Sequence, residues 1–169
     1  MDCKTRCLNS VKLASMRLVN FTIDSSIEIG VAGRPRFLDL HNIYTWQSVT
    51  YLPGQRRIKM TWTGPAKDQI WPDLPSDVAL ALNRLPPVVT LEFHGVSRFA
   101  ASPHDPEMPY DEDTCLEEVT LEPPEPASGI KNDIEVFRTD CGHITFMFRS
   151  GFALKIWAEA AELIYDHDA

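Results

Sequence analysis

The chain lacks the short sequence motifs of the common enzyme classes. It contains no G-x-S-x-G, H-E-x-x-H, P-loop or G-x-G-x-x-G pattern, so the familiar hydrolase, metalloprotease and nucleotide-binding signatures are absent. No unbroken apolar stretch is long enough for a membrane span, and no apolar run near the N-terminus is typical of a secretory signal. We therefore expect a cytoplasmic protein that does not bind a membrane.

Cysteine is also scarce, with four residues in a chain of 169. Their spacing fits neither a disulfide framework nor a double C-x-x-C zinc motif. Cys3, Cys7, Cys141 and His143 would supply four zinc ligands only if the fold brought the two distant pairs together. Terminal thiols and packed small side chains explain the same residues without a metal, so the sequence predicts no cofactor.

Basic residues are missing from one long stretch. Between Pro103 and Pro126 the chain has nine acidic residues and no Lys or Arg. The full chain has 24 acidic and 16 basic residues, a net charge of −8, so outside this stretch 15 acidic residues face 16 basic ones. An acidic chain without a basic patch argues against a nucleic-acid partner. A negative charge confined to one segment favours the binding of a basic protein or of a metal ion. Alternatively, the segment has no ligand and its charge is screened by the solvent.

The overall composition is that of a globular protein, with 44% hydrophobic and 24% charged residues. A chain of this length buries enough surface to fold without a metal or a disulfide. We expect residues 1–169 to form a single domain, with residues 103–126 as an acidic, Pro-rich loop segment.

Most apolar residues recur with the period of two that is typical of β-strands. Ile58, Met60 and Trp62 alternate with polar residues after a turn at Pro53-Gly54, which predicts a hairpin with one wet face. A short helix is expected after Ser76. The fold predicted from these patterns is α+β and mainly β, with antiparallel sheets of about seven to nine strands and one or two short helices.

Two turns of the same type organise the last third of the chain. Asp140-Cys141-Gly142 and Arg149-Ser150-Gly151 both fit a three-residue hairpin loop that ends in a left-handed glycine. Together they predict a three-stranded meander with the pairs Val136 with Phe146, Ile134 with Phe148, Phe146 with Leu154, and Ile144 with Ile156. We expect the last of these strands to run through Ala158, although the segment after Trp157 also has helix propensity.

The other face of this meander carries Phe137, Met147 and Trp157 and is too apolar for full exposure. The predicted helix after Ser76, a second sheet or a second subunit would cover it. A structural homodimer through these three residues is therefore one alternative interpretation.

The acidic segment gives the predicted function, which is non-catalytic protein binding, and the histidines give a further alternative. The segment would bind a basic protein through carboxylates that we take as candidate contact residues: Asp105, Glu107, Asp111, Glu112, Asp113, Glu117 and Glu118. Alternatively, His94, His104, Asp111 and Asp113 would form a metal-assisted hydrolytic or small-ligand site. The acidic residues do not follow the spacing of an EF-hand loop, because Tyr110 and Leu116 stand where its glycine and its last carboxylate would be.

Three apolar runs resemble those of small uncharacterised bacterial proteins and of immunity proteins of polymorphic toxin systems. The runs are Leu91-x-Phe93-x-x-Val96, Gly142-x-Ile144-x-Phe146-x-Phe148 and Leu154-x-Ile156-x-Ala158, about a third of the chain. The resemblance implies a non-catalytic binding role, in which the protein caps a toxin. An acidic segment suits a basic nuclease toxin through electrostatic steering.

Overall fold

The computed structural model of the chain describes residues 15–23, 25–32, 37–66, 73–122 and 142–165. Within these ranges it contains twelve strands and one α-helix. The strands are β1 (Arg17–Val19), β2 (Phe21–Ile23), β3 (Glu28–Val31), β4 (Phe37–Asp39), β5 (Thr45–Leu52), β6 (Arg57–Thr63), β7 (Val88–His94), β8 (Arg98–Ser102), β9 (Leu116–Glu122), β10 (His143–Phe148), β11 (Ala153–Trp157) and β12 (Ala160–Tyr165). The α-helix is α1 (Ser76–Leu82), and two 3₁₀ helices span Pro53–Gln55 and Tyr110–Thr114.

The strands form three sheets. The largest has the order β1-β12-β7-β6-β5, the second β8-β11-β10-β9 and the third β2-β3-β4. All pairings are antiparallel except that of β1 with β12, which is parallel. The mainly β class is thus as predicted, but the described residues hold more strands than the seven to nine expected. Several of the additional strands have only three residues, too few for an alternating pattern to be recognised.

The two larger sheets pack against each other through their apolar faces. Ile58, Met60 and Trp62 of β6 are fully buried, as their alternation predicted. The ring of Phe146 in β10 lies 5.8 Å from that of Trp62 and meets Phe93 edge to face at 6.2 Å. These contacts belong to a hydrophobic core that includes residues from all three sheets.

A shared bend joins the two larger sheets. The chain passes from β7 to β8 and from β11 to β12 at the same place, where the Glu159 N–H donates to the carbonyl oxygen of His94 (N···O 3.0 Å). Gly95 has φ +66° at this corner, a conformation that favours glycine. The break at Ala158 and Glu159 corrects the expectation of one strand through Ala158. It also places β11 and β12 in different sheets.

The turn Arg149-Ser150-Gly151 forms the predicted hairpin. Gly151 has φ +77°, and β10 pairs with β11 in the expected register, with Ile144 opposite Ile156 and Phe146 opposite Leu154. The other half of the meander was predicted wrongly, because the second neighbour of β10 is β9, with Val119 opposite Phe146. A strand has only two edges, so the pairs of Phe146 and Phe148 with residues 136 and 134 are excluded. Residues 134 to 139 themselves lie outside the described ranges.

The acidic segment also differs from the loop that was predicted. It contains the 3₁₀ helix Tyr110–Thr114 and then β9, which is a regular member of the second sheet. Glu117, Glu118 and Glu122 are therefore strand residues. The strand was hard to recognise in the sequence because β9 carries one extra residue, Glu117, opposite the step from Met147 to Phe148 of β10, and this bulge breaks the alternation of β9.

Candidate functional site

The acidic segment is held in place by a cluster that we name the His104 clasp, made of His104, Asp113, Tyr110 and Ser150. Nδ1 of His104 lies 2.7 Å from Oδ1 of Asp113, and Nε2 lies 3.0 Å from the carbonyl oxygen of Met108. The ring stacks on Tyr110, with centroids 4.2 Å apart and planes within 6°. The clasp thus connects the loop after β8 to the 3₁₀ helix before β9.

Both ring nitrogens of His104 face groups that only accept hydrogen bonds. A neutral imidazole has one N–H and can donate to only one of them, whereas the protonated ring donates to both. The hydrogen bond to Asp113 is the main reason that the pKa of His104 is raised above its ordinary value of 6.5. The geometry therefore favours the imidazolium form of His104.

Asp113 is held as the carboxylate from the other side. A hydrogen bond from Ser150 is the main cause that lowers the pKa of Asp113 below its ordinary value of 3.8, and the bond from His104 lowers it further. Ser150 is fully buried in the turn between β10 and β11, where its Oγ also accepts a hydrogen bond from the Phe152 N–H at 3.3 Å. Asp113 thus anchors the acidic segment to the second sheet.

Three further bonds attach the segment to this turn. The Asp105 N–H donates to the carbonyl oxygen of Ser150 at 3.0 Å, and the Arg149 N–H donates to that of Cys115 at 3.1 Å. Nε of Arg149 forms an ion pair with Glu112 at 3.3 Å. Sequence reasoning treated Arg149 and Ser150 only as turn residues, because nothing in their local pattern indicates a contact with residues some 40 positions earlier.

The candidate contact residues fall into two groups. Asp105, Glu107, Asp111 and Glu117 are exposed, whereas the other three are partly buried: Glu112, Asp113 and Glu118. Two of the partly buried residues have internal roles, since Glu112 binds Arg149 and Asp113 belongs to the clasp. We name the four exposed carboxylates together with Tyr110 the acidic surface. Tyr110 is 77% exposed, and its ring stacks on that of His104.

The residues of the alternative metal site are not brought together. His94 lies on the outer face of the largest sheet, where Nε2 is 3.7 Å from Glu92 and 3.6 Å from Glu162. Arg57 binds the same Glu92 at 2.6 Å. His104 and Asp113 bond to each other instead. Across the described ranges, no three His, Cys, Asp or Glu side chains are grouped so that they could hold a metal ion.

One cysteine and histidine pair was missed in the sequence. Sγ of Cys115 lies 4.0 Å from Nδ1 of His41, across 74 positions of the chain. Nδ1 also bonds to the carbonyl oxygen of Leu116, which can only accept, so this nitrogen carries the proton. A nitrogen that already carries a proton cannot take one from the thiol, and the pair therefore lacks the arrangement of a nucleophile and its base.

The residues of the alternative dimer face have different surroundings. Met147 is 40% exposed, but Trp157 is only 1% exposed, with its ring stacked on His143 at 4.7 Å and near the Arg98 guanidinium at 4.5 Å. Phe137 lies outside the described residues, as do the three cysteines of the alternative zinc site. Trp157 is thus packed inside the chain. The helix after Ser76 was one of the elements expected to cover this face, but none of the residues of α1 is buried, so it does not form such a cover.

Comparison with known protein families, with curated proteins and with solved structures finds no match for this chain. In the part of the chain that the structure describes, no helix has the length and apolar character needed to cross a membrane. The likeness to immunity proteins and the cytoplasmic location remain predictions from the sequence.

Proposed function

We propose that this protein is a non-catalytic, immunity-like binding domain that docks a basic protein, such as a toxin, on its acidic surface. The observation that supports this proposal is the rigid presentation of the charge. Four exposed carboxylates lie on a segment whose backbone is fixed by the His104 clasp and by the Ser150 turn. A surface held in its binding conformation loses less conformational entropy when a partner docks.

The charge distribution favours a basic partner. Outside residues 103–126 the chain has nearly equal numbers of acidic and basic residues, so the field of this segment is not diluted by a generally acidic surface. Such a field attracts a basic protein over a distance of about one Debye length, roughly 8 to 10 Å near physiological salt. It therefore accelerates association more than it slows dissociation.

Tyr110 gives the acidic surface a contact that charge alone does not provide. Its ring is largely exposed, and the stack on His104 limits its side-chain freedom before any partner arrives. Exposed tyrosines are frequent binding hot spots, and an exposed aromatic ring in an acidic segment suits an arginine side chain. We therefore expect a basic partner to place an arginine against Tyr110.

The test uses a variant that removes charge from the acidic surface but keeps the clasp intact. Glu107→Gln, Asp111→Asn and Glu117→Gln together remove three exposed negative charges. Asp73→Asn, Asp77→Asn and Glu159→Gln form the matched control, since these exposed residues lie outside the acidic segment and change the net charge equally. Each protein is immobilised to capture partners from the source lysate at low and high salt, and a retained protein is identified and purified.

Association with the purified partner is then measured by stopped flow. We expect the acidic-surface variant to associate roughly tenfold more slowly than the wild type at low salt, with a flatter salt dependence. The control variant should associate at nearly the wild-type rate. The proposal fails if no basic protein is retained at low salt, or if both variants slow association equally.

A further inference from the structure

The strand β5 is an outer strand of the largest sheet. It pairs with β6 on one side and, among the described strands, with none on the other. No backbone group of Thr45–Leu52 takes part in a further backbone hydrogen bond in the described part of the chain. The Thr45 carbonyl oxygen accepts a hydrogen bond from Nε2 of Gln47 at 3.4 Å, and beyond Gln47 the N–H and C=O groups of every second residue point outward and are available to another strand.

This edge is uncharged, unlike the other outer strands of the two larger sheets. The fourteen residues from Asn42 to Gln55 include no Asp, Glu, Lys or Arg. In contrast, β1 carries Arg17, β8 carries Arg98, and β9 carries three glutamates. Charged side chains on an edge strand oppose pairing with another chain, and β5 lacks this protection.

The side chains of β5 extend the apolar face of the sheet to its edge. Val49 lies opposite Met60, and Tyr51 lies opposite Ile58, so both are on the side of the core. The Tyr51 ring packs 5.7 Å from that of Phe99, yet Tyr51 remains 42% exposed and the adjacent Leu52 41% exposed. An added strand would therefore bury apolar surface as well as satisfy the backbone.

We propose that β5 pairs antiparallel with β5 of a second copy of this chain, so that two five-stranded sheets become one. Two molecules with a net charge of −8 repel each other, and β5 itself adds no charge to this repulsion, while the acidic 3₁₀ helix Tyr110–Thr114 lies beside the strand. A two-fold interface also places each strand against the same strand of the second copy. A charged side chain near the axis would therefore lie beside the identical charge of the second copy. The composition of β5 avoids this repulsion.

The pairing has a favoured register. β5 has an irregularity between Trp46 and Ser48, and beyond it Ser48–Leu52 follow a regular pattern. An axis at Thr50 pairs Val49 with Tyr51 of the second copy on the core side and Thr50 with its own counterpart on the outer side. A pair of an aromatic with a β-branched side chain, and a pair of two threonines, are both favourable across antiparallel strands.

Sedimentation velocity over a wide range of protein concentration tests the proposal. Thr50→Lys places two like charges at the axis and should raise the dimer dissociation constant by roughly fivefold or more. The control is Thr61→Lys, which puts the same charge on the same face of the sheet but one strand inside the edge, opposite Ser48. This control should leave the dissociation constant near that of the wild type.

The salt dependence separates this interface from the acidic surface. Added salt screens the repulsion between two acidic copies and should strengthen the dimer, whereas it should weaken the binding of a basic partner. Amide hydrogen exchange of the wild type gives evidence that does not depend on the variants. The amides of Ser48–Leu52 that do not face β6 should become protected as concentration rises.

A wild type that stays monomeric at every concentration would overturn the proposal. So would a dimer that Thr50→Lys leaves intact, or one that forms without protection of the β5 amides. Protection of β5 only when another protein is added would assign the edge to an extended segment of that protein, and would overturn pairing with a second copy.

Discussion

Replacing Ser150 by alanine removes the hydroxyl that joins the acidic segment to the second sheet. Ser150 is fully buried, its Oγ accepts the N–H of Phe152 at 3.3 Å, and its hydroxyl is the main cause that lowers the pKa of Asp113. Alanine keeps nearly the same volume, so the substitution creates no large cavity. Any loss of stability then comes from the hydrogen bonds.

The expected magnitude follows from these two bonds. A hydrogen bond to a charged group contributes about 1.5 to 3 kcal/mol, and a neutral one contributes about 1 kcal/mol. Asp113 and Phe152 are both partly exposed, so water replaces some of what is lost. We expect Ser150→Ala to lower the free energy of unfolding by about 2 kcal/mol.

Urea denaturation at pH 6, where both His104 and Asp113 are charged, measures this loss. Ser48→Ala is a suitable control, because Ser48 is exposed and the substitution should change stability by no more than about 0.5 kcal/mol. In a double-mutant cycle, Ser150→Ala and Asp113→Asn should be less than additive because they remove the same bond. A Ser150→Ala protein as stable as the control, or full additivity in the cycle, would refute the assignment of Ser150 as the anchor.

Two other predictions concern the clasp and the corner of the sheets. The pKa of His104 is raised, so its contribution to the free energy of unfolding is fully present below pH 6.5 and is lost as the pH rises through the pKa of the folded state. The pKa of Asp113 is lowered, so its contribution to the free energy of unfolding is present above pH 3.8 and is lost as the pH falls through the pKa of the folded state. The stability difference between wild type and His104→Gln in urea titrations should therefore be largest between these two values and shrink at higher pH, and a constant difference would contradict the clasp. Gly95→Ala should destabilise the fold by about 1 to 2 kcal/mol because Gly95 has φ +66°. Thermal unfolding of both variants checks this: Gly54→Ala should be almost neutral, because an added Cβ there meets no atom within 4 Å. Equal losses of stability at the two sites would argue against backbone strain at the corner.

The predictions from the sequence succeeded where the determining interactions are local. The alternation of Ile58, Met60 and Trp62 identified the buried face of β6, because side chains two residues apart in a strand lie on the same face. The turn Arg149-Ser150-Gly151 fixed the register of β10 with β11, because a short loop with a left-handed glycine allows few pairings. Both arguments use only residues close together in the chain.

The candidate site depended on longer distances. The sequence located the acidic segment and its charge, but not the bonds of His104 and Asp113 with the Ser150 turn. It also placed residues 134 to 139 beside β10, where the structure has β9. Several apolar segments were compatible with that edge, and the choice among them depends on the packing of the whole core.

The sequence by itself thus determined the strand character of the chain, the buried faces of its hairpins and the confinement of its negative charge. Each of these follows from the residues in order, through the period of a strand or the sum of local charges. Only the tertiary structure decided which strands are neighbours, which carboxylates are internal and which edge of the sheet is open. These properties arise from contacts between residues far apart in sequence, where many pairings are locally acceptable and only the common core selects one.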